Sequence, residues 1–364
     1  MIFKIQYLRG IAALLVVHHH IQFQFIKAGS PLLLPMAEVG AAGVDIFFVI
    51  SGFIMWISTY GKSIEPAEFV QMRLIRIFPL YFLASLFLLL VSLLAPALLS
   101  TTQFNLEHFT WSVLFVAVQH PVMTQEILPF FIQGWTLNYE MYFYLIFALT
   151  LLLGERQRSL ALLAVLTLIV LAGLTLPVRQ EQFQFYTSTL LLEFVYGLLV
   201  GWVYTRGGVV SRQASVLLIL AGFAALAVSD LVGVRYGASG MDPSRALLWG
   251  VPAAAIVAGA GLGAWQFRGL AHRALSALGD SSYSLYLSHI VTLPVVALFW
   301  RLAGGEFSSE SAWVLATVMM VSAVTVGWLI FVLVELPLTE VLRSWVKSGR
   351  RTRVTPIPAA SGAE

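Results

Sequence analysis

Apolar runs separated by short polar breaks fill nearly the whole chain. Ten are long enough for a helix to cross a bilayer, which takes roughly 17–25 residues. They lie at 6–26, 40–60, 79–99, 127–153, 159–176, 185–205, 214–230, 246–264, 281–300 and 312–336. A shorter run at 109–119 is either an interfacial piece or an eleventh span. The pattern predicts an all-α polytopic membrane protein of about ten transmembrane helices. The first span follows directly on the N-terminus without a small-residue cleavage site and reads as a retained helix. One membrane domain is expected over 1–345. A basic, disordered cytoplasmic tail is expected over 346–364, where Pro, Ala and Ser follow the charges.

Basic residues orient the spans. With both termini cytoplasmic, Lys27, Arg179, Arg235, Arg245 and Arg301 lie outside and the other 16 of the 21 Lys and Arg lie inside. Cytoplasmic loops carry such an excess. The same bias accounts for a pI of about 9.2 without a nucleic-acid partner. Composition agrees, with 59% apolar residues, 11% charged and a mean hydropathy of +0.87. Soluble domains carry about 25% charged residues. There is no cysteine, which rules out disulfides, thiolate metal sites and a cysteinyl intermediate. No metal is expected.

Polar residues inside apolar spans are costly and mark function by default. In the first span Arg9 and His20 are eleven residues apart. At about 100° per residue this is three turns plus about 20°, so both lie on one helix face, separated by a rise of about 16 Å. His18 and His19 point about 180° and 80° away from Arg9. Asp45, about five residues into the second span, is at a depth similar to that of His20. It either orients that imidazole as a general base or caps its own helix. Arg73 and Arg76, three apart just before the third span, share a face. They form either an anion clamp for a phosphorylated ligand or ordinary cytoplasmic anchors. Glu140 is at mid-depth among aromatics and binds an acceptor hydroxyl, pairs with an arginine, or holds helices together. Trp135 and Tyr139 suit sugar contact, although an interfacial aromatic belt has the same composition. Asp280 and Ser281 have the character of helix caps. His289, two turns into the ninth span, is either a second polar member of a cavity or a structural histidine. Glu335 is placed to pair with one of the arginines, and Pro337 marks a break or a kink.

Six segments in order resemble the acyltransferase-3 family of integral membrane O-acyltransferases, nearest to its exopolysaccharide-production branch. They are Tyr7-Leu-Arg9 with His20; Gly43-Val-Asp45-Ile-Phe-Phe-Val-Ile-Ser51-Gly-Phe; Arg73-x-x-Arg76-Ile-x-Pro79-Leu-Tyr81; Trp135 with Glu140; Gly279-x-x-Ser282-Tyr-Ser-Leu-Tyr286-Leu-x-His289; and Glu335-x-Pro337. The chain departs from the usual opening at His18 and His19, so any of three imidazoles is a candidate base, with helical phase selecting His20.

The resemblance implies an O-acetyltransferase of the bacterial cytoplasmic (inner) membrane. It would move an acyl group, usually acetyl, from cytoplasmic acyl-CoA to a hydroxyl of a glycan or lipid-linked sugar. Arg9, Arg73 and Arg76 would hold the phosphates of coenzyme A, with the pantetheine arm along the first helix. His20 would act as base with Asp45 behind it, joined by Glu140. Trp135, Tyr139, Tyr286 and His289 would face the acceptor. Direct transfer is favoured, with an acetyl-histidine as the alternative. A secondary transporter of a polar or anionic solute is the competing class.

Overall fold

The computed structural model describes residues 2–30, 34–99, 101–234, 236, 242–308 and 310–351. Arg235, Arg353 and the predicted tail from 352 onward lie outside the described residues; 346–351 belong to the last helix. Fourteen α-helices are found among the described residues. They are α1 (Phe3–Lys27), α2 (Gly43–Thr59), α3 (Pro66–Leu94), α4 (Leu106–Val113), α5 (Trp135–Thr150), α6 (Glu155–Thr175) and α7 (Glu181–Tyr186). There follow α8 (Leu191–Thr205), α9 (Arg212–Leu231), α10 (Val251–Leu262), α11 (Gly269–Asp280), α12 (Ser282–Leu302), α13 (Ala312–Ile330) and α14 (Leu336–Arg351).

Seven helical segments are long and apolar enough to cross a membrane: Val39–Thr59, Pro66–Leu94, Glu155–Thr175, Glu181–Thr205, Arg212–Leu231, Ser282–Leu302 and Ala312–Val346. The other three predicted spans are also helical. They fall on α1, which carries Lys4 and Arg9, on the 16-residue α5, and on Ala246–Leu262, where a π-helical turn leads into α10. The 109–119 run forms only the eight-residue α4, which at 1.5 Å per residue is too short to span. The third span begins earlier than the apolar run suggested. α3 starts at Pro66 and runs through Pro79, so Arg73 and Arg76 are on the helix itself. Pro337 lies in the first turn of α14, directly after a π-helical turn over Phe331–Glu335.

Close helix contacts follow from small residues, as expected where apolar burial gives no preference between helix and lipid. A Cβ on Gly52 of α2 would sit 2.1 Å from the Phe194 carbonyl oxygen of α8, and one on Gly197 of α8 would sit 2.0 Å from that of Val49. On another face of α2, a Cβ on Gly43 would sit 2.3 Å from the Ala12 carbonyl oxygen of α1. α1 is also packed by α11 and α12. It is therefore an interior helix over most of its length, with Gln6, Gln22 and Gln24 buried.

Candidate active site

A cavity of about 430 Å³ opens between α1, α2, α3, α5 and α12. Arg9, Arg73, Arg76, Glu140 and Tyr286 all line it, so five of the ten residues selected from sequence meet in one place. Each guanidinium has its own support. Arg9 donates to Gln6 Oε1 at 3.3 Å, and Gln6 in turn donates to Asp280. Arg73 donates to Ser58 Oγ at 3.3 Å and lies over the rings of Phe69 and Tyr144, 5.2 and 5.8 Å from their centroids. Arg76 is paired with Glu335 and lies 5.9 Å over Tyr283. The expected arginine partner of Glu335 is therefore Arg76, and its second oxygen accepts from Ser284 Oγ at 2.6 Å. Asp280 and Ser281 do not cap α12. Asp280 ends α11 and accepts from Gln6, while Ser281 Oγ turns back to the Ala277 carbonyl.

Glu140 accepts from Ser51 Oγ at 2.5 Å and from the Tyr144 hydroxyl. Three guanidiniums against Glu140 and Glu335 leave the cavity cationic, which suits a polyanionic ligand. Thr136, Glu140 and Tyr144, four apart, form the cavity face of α5. Trp135 and Tyr139 are one residue off that stripe and do not line the cavity. Tyr139 stacks on Phe185 at 4.0 Å, and Trp135 is 6.0 Å from the Arg245 guanidinium. Both belong to the aromatic core beside α2 and α8, and the structure does not bring them to the cavity. Tyr286 is pinned by its hydroxyl to Thr136 at 2.9 Å and to the Gln133 carbonyl at 3.1 Å.

Asp45 is the principal correction. Instead of meeting His20 it makes a two-point ion pair with Arg245, at 3.0 Å to Nε and 2.8 Å to Nη2, with both side chains almost fully buried. Helical phase explains the change. Gly43 is the α2 residue pressed on α1, and two residues later the chain has turned about 200°, so Asp45 faces away from His20. Glu193 of α8 lies beside this pair, fully buried, with neither oxygen in hydrogen-bonding geometry with a donor. In the sequence Arg245 stands only among the outer basic residues, and Glu193 has no assigned role. The available signal was a carboxylate inside the apolar run 185–205 at the same outer depth as Asp45.

The three adjacent histidines differ in what they hold. His18 Nε2 and His19 Nδ1 donate to the carbonyls of Pro35 and Ala37, each at 2.9 Å, and so tie the connection after α1. His20 Nδ1 donates to its own helix at Val16, also at 2.9 Å. A carbonyl only accepts, so the hydrogen is on Nδ1 and Nε2 carries the lone pair. Its ring is 4.8 Å from that of His289 on α12, which is 5.9 Å from Tyr286. His20 and His289 thus lie behind Tyr286, next to the cavity but outside its walls. Among the described residues no cluster of three or more His, Cys, Asp or Glu is arranged to hold a metal.

An acyltransferase-3 family model, described as an acyltransferase domain, matches residues 2–332. The chain belongs to this acyltransferase family. It is 33% identical over 328 residues to the exopolysaccharide production protein ExoZ of Rhizobium meliloti (strain 1021), covering 90% of this chain and 96% of that one. It is 28% identical over 394 residues to the acyltransferase MdmB of Streptomyces mycarofaciens, covering 96% and 93% respectively. A further match, 37% identical over 82 residues, is to protein 2 in the picA locus of Rhizobium radiobacter, covering 21% of this chain and 38% of that protein. No solved structure matches. Membership makes the protein a multi-pass membrane O-acyltransferase and favours the enzyme over the transporter.

Proposed function

We propose that this acyltransferase moves an acyl group, acetyl by preference, from cytoplasmic acyl-CoA to a hydroxyl of a bacterial surface glycan, as the exopolysaccharide protein it resembles suggests. The observation that carries the reading is the meeting of Arg9, Arg73 and Arg76 in one cavity, whose wall includes Tyr286, the neighbour of the His289 ring that His20 contacts. Coenzyme A is a polyphosphorylated head on a thin arm ending in the thioester. The head suits the three guanidiniums. The arm suits the rise of about 16 Å from Arg9 to His20 along α1. His20 Nε2, free to accept, takes the proton of the acceptor hydroxyl as its oxygen attacks the thioester carbon. Glu140 and Tyr286 border the path, and Glu140 is placed to accept a hydrogen bond from the acceptor or from the amides of the arm. With cysteine absent, transfer is direct. Ten spans, both termini in the cytoplasm and the bacterial inner membrane complete the reading. They are supported by helices at all ten apolar runs and by the basic-residue bias.

The test uses purified protein in lipid vesicles with labelled acetyl-CoA and gluco-oligosaccharide acceptors. Arg73→Ala and Arg76→Ala each raise the KM for acetyl-CoA, by about tenfold or more for a lost charged contact. His20→Ala abolishes transfer, whereas His18→Ala and His19→Ala retain it. An unchanged KM removes the arginines from the donor site. Transfer lost in His18→Ala or His19→Ala but kept in His20→Ala reassigns the base.

A further inference from the structure

The carboxylate expected behind His20 is engaged elsewhere, which raises the question of what stabilises the imidazole once it holds a proton. His289 is the group in contact. It is fully buried, its Nδ1 donates to the Leu285 carbonyl at 3.1 Å, and its Nε2 has no hydrogen-bond partner. His20 has the same local arrangement, with Nδ1–H tied to the carbonyl four residues back on its own helix. Both rings are therefore the tautomer with a lone pair at Nε2. Two neutral imidazoles so arranged have no hydrogen to share, which accounts for the unpartnered atom at 4.8 Å ring separation. One added proton changes that, because the protonated ring then has an Nε2–H to offer and the other an Nε2 lone pair.

We propose that His20 and His289 act as a single proton acceptor, with His289 as the positioning residue that shares the proton His20 removes. The proposal rests on the acyl-CoA transferase reading above. As the acceptor oxygen bonds to the thioester carbon, its O–H bond breaks and the proton passes to His20 Nε2. The proton is held in an N–H···N bridge to His289 Nε2. When the C–S bond breaks, it goes to the departing thiolate. The ester and the free thiol leave, and both rings are neutral again. Each ring keeps its Nδ1–H on a helix carbonyl throughout, so neither must flip.

The other ionisable groups around the pair are few, and one of them is Glu38 of the connection after α1, which faces His19. From α1 itself His19 stands 5.3 Å from the His20 ring, its Nδ1 held by the Ala37 carbonyl, with Lys27 two turns beyond. From α12 comes Tyr286, its hydroxyl directed to Thr136 and Gln133. α13 has no ionisable residue, and the single one on α2 is Asp45, engaged by Arg245.

The absence of cysteine gives a clean assay, since every thiol released from acetyl-CoA comes from the substrate. Purified full-length protein in lipid vesicles is given acetyl-CoA with gluco-oligosaccharides or with water as acceptor, and kcat is followed against pH. His289→Ala is expected to lower kcat by about tenfold or more while leaving the KM for acetyl-CoA unchanged. Its acid limb moves to lower pH by about one unit, because the lone proton on His20 has lost its acceptor. Imidazole added to the buffer, or His289→Gln with its Oε1 near the place of Nε2, restores activity. A wild-type kcat, or a lower kcat with an unmoved limb and no rescue, overturns the proposal. If the alanine variant does not fold, His289→Met keeps the bulk and is read in the same way. Failure of the wild-type protein to release thiol would instead refute the donor reading, and the proposal with it.

Discussion

The pair Asp45–Arg245 gives the sharpest test of the tertiary arrangement. Its two hydrogen bonds, at 3.0 and 2.8 Å, join side chains with relative exposures of 0% and 3%. Charged hydrogen bonds contribute about 1.5–3 kcal/mol each, and removing one member of a buried pair costs about 3–5 kcal/mol because the other charge is stranded. Arg245→Met is expected at the upper end of that range, since it leaves Asp45 and Glu193 side by side without a cation. Asp45→Asn is expected at the lower end, since Glu193 lies close enough to capture the guanidinium. Asp45→Asn with Arg245→Met removes both charges of the pair but leaves Glu193 buried, and should cost about 5 kcal/mol, no more than Arg245→Met alone, giving a coupling energy of about 3 kcal/mol. Asp45→Asn with Glu193→Gln leaves Arg245 with no carboxylate and should cost more than the two single changes together. Denaturant titration of the detergent-solubilised variants, with thiol release as a parallel readout, measures these four together with Glu193→Gln alone. Additive losses in the Asp45/Arg245 cycle would refute the ion pair. Intact stability with transfer abolished in Asp45→Asn would return Asp45 to the side of His20.

Three further outcomes are expected. Gly197→Leu places a side chain where the Val49 carbonyl of α2 already stands 2.0 Å from a Cβ. It should separate α2 from α8 and prevent accumulation of folded protein, while Gly207→Ala, with open space around it but a φ of 79°, costs only about 1 kcal/mol; comparable yields in size-exclusion chromatography would contradict this. In the segment between α4 and α5, His120 is pushed down to about 4 by burial and by neighbouring His108, itself lowered by burial. His120 Nδ1 accepts from the amides of Val122 and Met123, at 3.2 and 3.0 Å, so protonation there removes both bonds. Its folded value is below the unfolded one, so this contribution is complete above about pH 6.5 and is lost as pH falls toward 4. Proteolysis within 114–127 should accelerate over that window, and His120→Gln should reduce the pH dependence. Glu335→Gln frees Arg76 from its ion pair and should lower the KM for acetyl-CoA while reducing thermal stability, and an unchanged KM would place Arg76 outside the donor contact.

The lengths of the apolar runs dictated helices, because a backbone crossing hydrocarbon must satisfy its own hydrogen bonds. All ten runs carry a helix, although the 127–153 run is helical only from Ile132. Arg9 and Glu140 were legible for a related reason, since charge within an apolar span needs a protein-lined cavity, and Arg73 and Arg76 as a pair three apart on one helix face; all four line one cavity. Helical phase, read within α1, also separated His20 from His18 and His19, which the structure ties to the following connection.

Pairing across helices was not legible in the same way. Depth placed Asp45 level with His20, but which way a side chain points around α2 depends on which face meets α1. That was decided by Gly43, where the absence of a Cβ lets α2 approach the Ala12 carbonyl and turns Asp45 toward Arg245, 200 positions away in sequence. The same holds for Tyr139, whose ring completes the aromatic core against Phe185, and for His289, whose neighbour His20 is on the first helix. The sequence by itself determined which segments form apolar helices and which residues are too polar to face lipid. The tertiary structure decided the partners, because a polar group in a low-dielectric interior takes whichever complement the close packing of small residues brings within reach.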